Sequence, residues 1–315
     1  MDNFAISLEV VLPLFFMMAV GYTLRRMLSL DDQWIRTTNK VVFRSLLPLL
    51  LFRNMVESDL SGAFTPEMLG LIVFAVAGVL LTFLALYLII PRLEPENERR
   101  GVMIQGILRS NMALFGIPVA LSLYGEGNIA VVTLLVSFIV PLFNVTAVLA
   151  LKLFQGDKPK WGNILRDIVT NPLILAIAAG TAFNLLHIQL PAPVESAAWG
   201  LAGCATPISF LVLGASFTFA SAAKNRRALT GVVLARLLLV PFVWLAIGAL
   251  LGFRGQSMLA LLMLFAPPTA VSSFSMACAM GGDADLCSEI VVFTSAFSVL
   301  SIFLWVFALK SFGWI

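Results

Sequence analysis

The side chains of this sequence that could do chemistry gather in two stretches. One reads Gln105-Gly106-Ile107-Leu108-Arg109-Ser110-Asn111, running on to Gly116-Ile117-Pro118, and the other Phe265-Ala266-Pro267-Pro268-Thr269-Ala270-Val271-Ser272-Ser273-Phe274-Ser275. Arg109 offers a rigid fork of donors suited to a carboxylate. Ser110, Asn111, Ser272, Ser273 and Ser275 supply polar contacts, and Asn144 adds an amide from a neighbouring apolar segment. Pro267 and Pro268 remove two backbone donors in succession and so open any helix that contains them. The chemistry these residues support is recognition of an anion.

Catalysis is not in their repertoire. The single histidine, His187, falls near a segment end, which leaves a serine nucleophile without a base. Gly281-Gly282-Asp283 has the look of an aspartyl active-site turn, but none of the charge-free apolar segments supplies a second carboxylate to share its proton. No H-E-x-x-H or phosphate-binding glycine loop occurs. Cys204, Cys278 and Cys287 are too scattered for a paired metal site or a disulfide framework. No enzyme activity, metal or cofactor is expected.

The elements that position these residues follow from composition. Of 315 residues, 60% are hydrophobic and 12% charged, against roughly 25% charged in soluble domains. So much apolar surface needs lipid as its solvent. A helix crosses the hydrocarbon with about 20 apolar residues. Segments 68–90, 128–151, 196–223, 255–282 and 290–309 meet that requirement without a charge. Five more carry an ionisable residue within the span: 4–24 with Glu9, about 38–52 with Arg44 (Lys40 falls at its leading end), 101–125 with Arg109, 168–188 with His187 and 228–253 with Arg236. Residues 4–24 read as a first span rather than a cleavable signal. The expectation is an all-α membrane protein of ten spans.

Lys and Arg are concentrated in alternate connections. Arg25, Arg26, Arg36, Lys40, Arg92, Arg99, Arg100, Lys152, Lys158, Lys160, Arg166, Lys224, Arg226 and Arg227 fall on one side; Arg53, Arg254 and Lys310 fall on the other. The positive-inside rule makes the first side cytoplasmic. This predicts a multi-pass protein of the cytoplasmic (inner) membrane with both termini extracytoplasmic. The net charge of +3 reflects that orientation, and no basic run is long enough for a nucleic-acid partner.

Sliding the chain against itself gives an ordered set of matches at offsets of 157 to 159 residues: Pro13 on Pro172, Gly21 on Gly180, Pro48 on Pro207, and Tyr124-Gly125-Glu126-Gly127-Asn128 on Gly281-Gly282-Asp283-Ala284-Asp285. The halves expected are 1–155 and 164–315, joined by a cytoplasmic linker at 156–163. Five spans per half force the second copy to enter from the opposite side, giving an inverted repeat. Secondary transporters so built bind substrate near the midplane, where helices are broken at corresponding places. The chemistry-bearing stretches are the fourth and ninth spans, which makes them the expected broken pair.

Arg109 is the most expensive residue there, at about 2.5–3.5 kcal/mol for a charge at a helix centre. It either attracts a carboxylate, snorkels to the cytoplasmic interface, or pairs with Glu289 or Asp283. Arg44 and Arg236 lie nearer cytoplasmic ends and are expected to snorkel. Thr294, Ser295, Ser298 and Ser301 of the tenth span either line the same cavity or serve close helix packing.

Asn111-x4-Gly116-Ile117-Pro118-x4-Leu123-Tyr124-Gly125 resembles the signature of the auxin efflux carrier family, which includes plant auxin exporters and bacterial permeases for small carboxylic acids. The resemblance extends to the ten-span pattern and the Pro-containing ninth span. It implies an elevator-type carrier: spans one, two, six and seven as scaffold, spans three to five and eight to ten as the moving domain, and a homodimer formed through the scaffold. Two departures stand out. Plant members have Pro before the Asn, where this chain has Ser110, and the long cytoplasmic loop of many plant exporters is missing. The closer likeness is to the bacterial permeases.

The reading that results is a secondary transporter of a small organic anion, a mono- or dicarboxylate. Its site is assigned to Arg109, Ser110, Asn111, Asn144, Pro267, Pro268, Ser272, Ser273 and Ser275. Its partners are the lipid bilayer, a second copy of the chain, and a proton or sodium ion if the anion is accumulated. The alternatives are a sodium-coupled organic-anion symporter resembling the bile-acid symporters, and an anion receptor that carries nothing.

Overall fold

The computed structural model describes residues 2–58, 65–124, 130–155 and 161–315, with the backbone alone for residues 2–10 and 124. The side chain of Glu9, residues 125–128 of the repeat match and residues 156–160 of the expected linker lie outside the described residues.

The described chain is helical, and its one β-type contact is an isolated bridge. The helices of the first half are α1 (Asp2–Met27), α2 (Asp32–Val41), α3 (Leu47–Val56), α4 (Pro66–Leu93), α5 (Asn97–Leu108), α6 (Ile117–Tyr124) and α7 (Ala130–Leu153). Those of the second half are α8 (Trp161–Val169), α9 (Pro172–Leu185), α10 (Ala192–Ser216), α11 (Phe219–Lys224), α12 (Arg226–Leu234), α13 (Val240–Leu250), α14 (Gly255–Phe265), α15 (Ser272–Met280) and α16 (Ala284–Ser311). Wider π-helical turns at Val42–Leu46, Met112–Gly116 and Ala235–Leu239 join α2 to α3, lead into α6 and join α12 to α13.

Helix boundaries follow local chemistry. Asp31, Thr65, Asn171 and Asp283 each accept a bond from a first-turn amide, so four helices begin on side-chain caps. Gly281 ends α15 with φ of 73°, a conformation open to glycine at little cost.

Among the described residues, five helices are long and apolar enough to cross a membrane: Pro66–Leu93, Ala130–Leu153, Ala192–Ser216, Arg226–Leu250 and Ala284–Ser311. A sixth candidate is α8 with α9, bent by 51°. The expected seventh span, 196–223, is shorter than its apolar run, because α10 stops at Ser216 and α11 starts separately. The stretches expected as fourth and ninth spans are each divided into two short helices, α5 and α6, and α14 and α15.

Two glycine-mediated contacts fix the framework around them. In α1, a Cβ on Gly21 would stand 2.0 Å from the Leu211 carbonyl oxygen of α10, and one on Gly214 2.0 Å from that of Met18. In α9, a Cβ on Gly180 would stand 2.6 Å from the Phe52 carbonyl oxygen of α3. The backbones therefore approach as small-residue helix pairs do in membranes.

Candidate functional site

The two interruptions meet. α5 ends at Leu108, and Arg109 turns to extended backbone at φ −84° and ψ 106°. α14 ends at Phe265, and residues 266–271 cross to α15 without a helix. Where they pass, Ser110 and Thr269 form an antiparallel bridge. The Asn111 amide donates to the Pro268 carbonyl at 2.8 Å, and the Ala270 amide donates to the Arg109 carbonyl at 3.2 Å. Each unwound segment thus satisfies backbone groups of the other, as apolar surroundings demand. Thr269 reinforces the crossing: its hydroxyl donates to the Gly106 carbonyl at 2.7 Å, and its amide donates to the Thr294 hydroxyl at 3.2 Å.

A cavity of about 330 Å³ opens beside this crossing, within the size range of small-molecule sites. Arg109, Ser110, Asn111, Asn144, Thr206 and Ser272 line it, with Leu47, Leu50, Leu51 and Asn54 of α3 opposite. A larger hollow of about 640 Å³ between α12 and α16 is walled by Leu229, Leu237, Phe293, Phe297 and Leu304. Among the described residues its wall is apolar apart from Arg226, Thr230 and Ser301, so the smaller cavity with its denser polar lining is the better candidate. On the far side of the crossing α15 is packed against α2, with the Asn39 amide donating to the Ser275 carbonyl at 3.2 Å.

Arg109 is 4% exposed. Its guanidinium donates to Asn144 Oδ1 at 2.9 Å and to the Met276 sulfur, and Asn144 is held in turn by its own bond to the Val140 carbonyl. Arg109 neither snorkels nor pairs with an acid. Asp283 lies beside Arg99 at 3.5 Å, and Glu289 accepts from Asn225 at 2.9 Å. Among the described residues no carboxylate reaches Arg109.

The other assigned residues divide into three groups. Ser110, Asn111, Asn144 and Ser272 share the cavity wall with Arg109. Pro267 and Pro268 open the ninth segment but stand behind that wall, contributing carbonyls to the crossing. Ser273 and Ser275 correct the expectation: both are fully buried and neither lines the cavity. The helix restarts at Ser272, and its first turn places Ser273 and Ser275 against α5 and α2, where their carbonyls accept from Gln105 and Asn39. Thr294 supports the crossing, while Ser298 and Ser301 bond within α16.

Arg236 overturns its expected surface role. It is fully buried and donates to four carbonyls: Pro267 at 2.9 Å, Ile107 at 3.1 Å, Leu108 at 3.3 Å and Leu264 at 3.4 Å. Arg44 is exposed. An arginine inside an apolar segment that holds no acid was the available sequence signal for Arg236, since helix carboxyl ends are the remaining counter-charge.

Comparison with known sequences locates this architecture. The family model described as membrane transport protein matches residues 6–160 and again 161–306. The chain belongs to the membrane transport protein family, that of the auxin efflux carriers. Within this family it is similar to an uncharacterized transporter of Methanothermobacter thermautotrophicus, 25% identical over 95% of this chain and 97% of the relative. It is also similar to an uncharacterized transporter of Methanocaldococcus jannaschii, 23% identical over 98% of this chain and 99% of the relative. Transport family membership and several apolar helices make this a multi-pass membrane protein.

Proposed function

We propose that the chain is a secondary transporter of a small organic anion, a mono- or dicarboxylate, bound in the cavity beside the crossing. The observation that carries this reading is the state of Arg109. A guanidinium has five donors and no acceptor, yet this one meets one amide oxygen and a thioether inside a cavity. The helices beginning at Met112 and Ser272 also start at this wall, and amino ends favour negative charge. A carboxylate satisfies both.

The inverted repeat of the reading, 1–155 and 164–315, is supported by contact symmetry. Gly21 approaches Leu211 and Gly180 approaches Phe52; shifting one pair by 159 residues and exchanging partners gives the other. The bridge joins Ser110 to Thr269, also 159 apart, and its two hydrogen bonds exchange in the same way. Ten spans, scaffold helices from spans one, two, six and seven, and elevator motion of the remainder belong to this reading. A cavity against α3 on one side of the crossing, with α15 closed on α2 at the other, suits one end-state of such motion. In the bacterial-type arrangement the protein sits in the inner membrane with both termini outside and pairs as a homodimer.

The test is flux of labelled mono- and dicarboxylates in proteoliposomes under an imposed potential, with and without sodium. Moving one charge through 100 mV is worth about 2.3 kcal/mol, or roughly fiftyfold in concentration. A carried monoanion follows the potential to that limit. Binding without flux favours a receptor, and flux that needs sodium favours the symporter reading.

A further inference from the structure

The carboxyl ends of α5 and α14 point their last carbonyls at one place behind the crossing. Carbonyls of interrupted helices are the groups with which secondary transporters coordinate a coupling cation. Here Ile107, Leu108, Leu264 and Pro267 supply them, two from each interrupted segment, and the Arg236 guanidinium fills the space between. Arg236 comes from a third element, the π-helical turn Ala235–Leu239, and such turns recur at functional positions. It makes no ion pair among the described residues and does not line the anion cavity.

We propose that Arg236 is the resident cation of the crossing: it occupies the carbonyl cage that would otherwise take a mobile metal cation, and it is a positioning residue for the anion site. A guanidinium is suited to this, being planar, permanently charged and more weakly hydrated than an ammonium. It neutralises two helix ends at once, so the crossing keeps its shape whether or not sodium is present. The proposal rests on the carrier reading only for its consequence in flux, because the cage can be tested by stability alone.

The experiment compares purified wild type with Arg236→Ala, Arg236→Lys and Arg236→Met. Melting is followed in sodium, potassium and N-methylglucamine chlorides, with and without added guanidinium well below denaturing concentrations. Wild-type melting is expected to be indifferent to the cation. Arg236→Ala leaves buried carbonyls without donors and is expected to melt lower, then recover with guanidinium or with sodium entering the vacated cage. Arg236→Lys is expected to melt between wild type and Arg236→Met. In flux, where flux is found, Arg236→Ala falls by about tenfold or more, as expected for losing at least about 1.4 kcal/mol of positioning, and the same cations restore it.

Equal melting of the Lys and Met variants, whether both match wild type or both fail to fold, overturns the proposal. So does an isolated Arg236→Ala protein that no cation stabilises. Absence of flux in wild type with cation rescue of Arg236→Ala melting refutes the carrier reading and leaves the resident cation standing.

Discussion

Replacing Arg109 by methionine separates function from stability. The substitution keeps the length of the side chain and removes the charge. Its effect on anion binding can be worked from the site. At an effective dielectric constant near 20, a carboxylate about 4 Å away gains about 4 kcal/mol of Coulomb energy, and a single bond between charged groups is worth about 1.5–3 kcal/mol net. A loss of about 2–4 kcal/mol raises KM roughly 30- to 700-fold. The effect on folding has the opposite sign. Within the protein Arg109 makes one good bond, to Asn144 at 2.9 Å, worth about 1.5–3 kcal/mol because the donor is charged. Holding an uncompensated charge at this depth costs about 2.5–3.5 kcal/mol. The methionine variant should therefore melt at or above the wild-type temperature while its carboxylate flux collapses. Proteoliposome flux and detergent melting on one preparation give both readings. Wild-type KM in the variant, or a fall in melting that parallels the loss of flux, refutes a role in anion binding.

Two further experiments probe the crossing and its wall. The ladder bonds use the Arg109 carbonyl and the Asn111 amide and skip Ser110, and Arg109 already has the extended backbone that precedes proline comfortably. Ser110→Pro should thus change melting by less than about 1 kcal/mol, whereas Asn111→Pro, which deletes the donor to Pro268, should cost about 1–3 kcal/mol; equal melting of the two variants contradicts the ladder. In a Cys204→Ser background, which removes the exposed thiol, Ser272→Cys should react with a hydrophilic thiol reagent and be protected by a transported carboxylate. Ser275→Cys should stay unreactive, and labelling of both at similar rates would place the cavity wrongly.

The interruptions were legible because they depend on local chemistry. Pro267-Pro268 cannot continue a helix, and Ser110-Asn111 marks the corresponding place in the fourth segment. Gly21 and Gly180 were legible as a matched pair for a related reason: each is needed where a neighbouring carbonyl leaves no room for a Cβ. The orientation of α15 was not legible. Which of Ser272, Ser273 and Ser275 faces the cavity depends on the residue at which the helix restarts, and that is set by the hydrogen bonds of Thr269 and Ala270 to the other segment. Arg236 was misread for a similar reason. Its distance from the end of its own helix suggested an escape to the interface, while the carbonyls that hold it belong to segments 28 to 129 residues away.

The two buried arginines show why residue type alone does not identify a binding site in a membrane. Both face the same insertion cost, and both stand beside the same crossing. Their acceptors differ. Arg236 has four carbonyls, all from helix ends whose partial negative charge matches a cation, so the protein itself satisfies it. Arg109 has an amide oxygen and a sulfur, the latter a weak acceptor, and opens on a cavity. Neutralising the first removes a partner from carbonyls that are already desolvated and lowers stability. Neutralising the second removes a charge that the folded protein alone does not balance. Opposite signs of melting shift for the same Arg→Met change at two positions follow from that difference in acceptors, and the position that gains stability is the one that binds the anion.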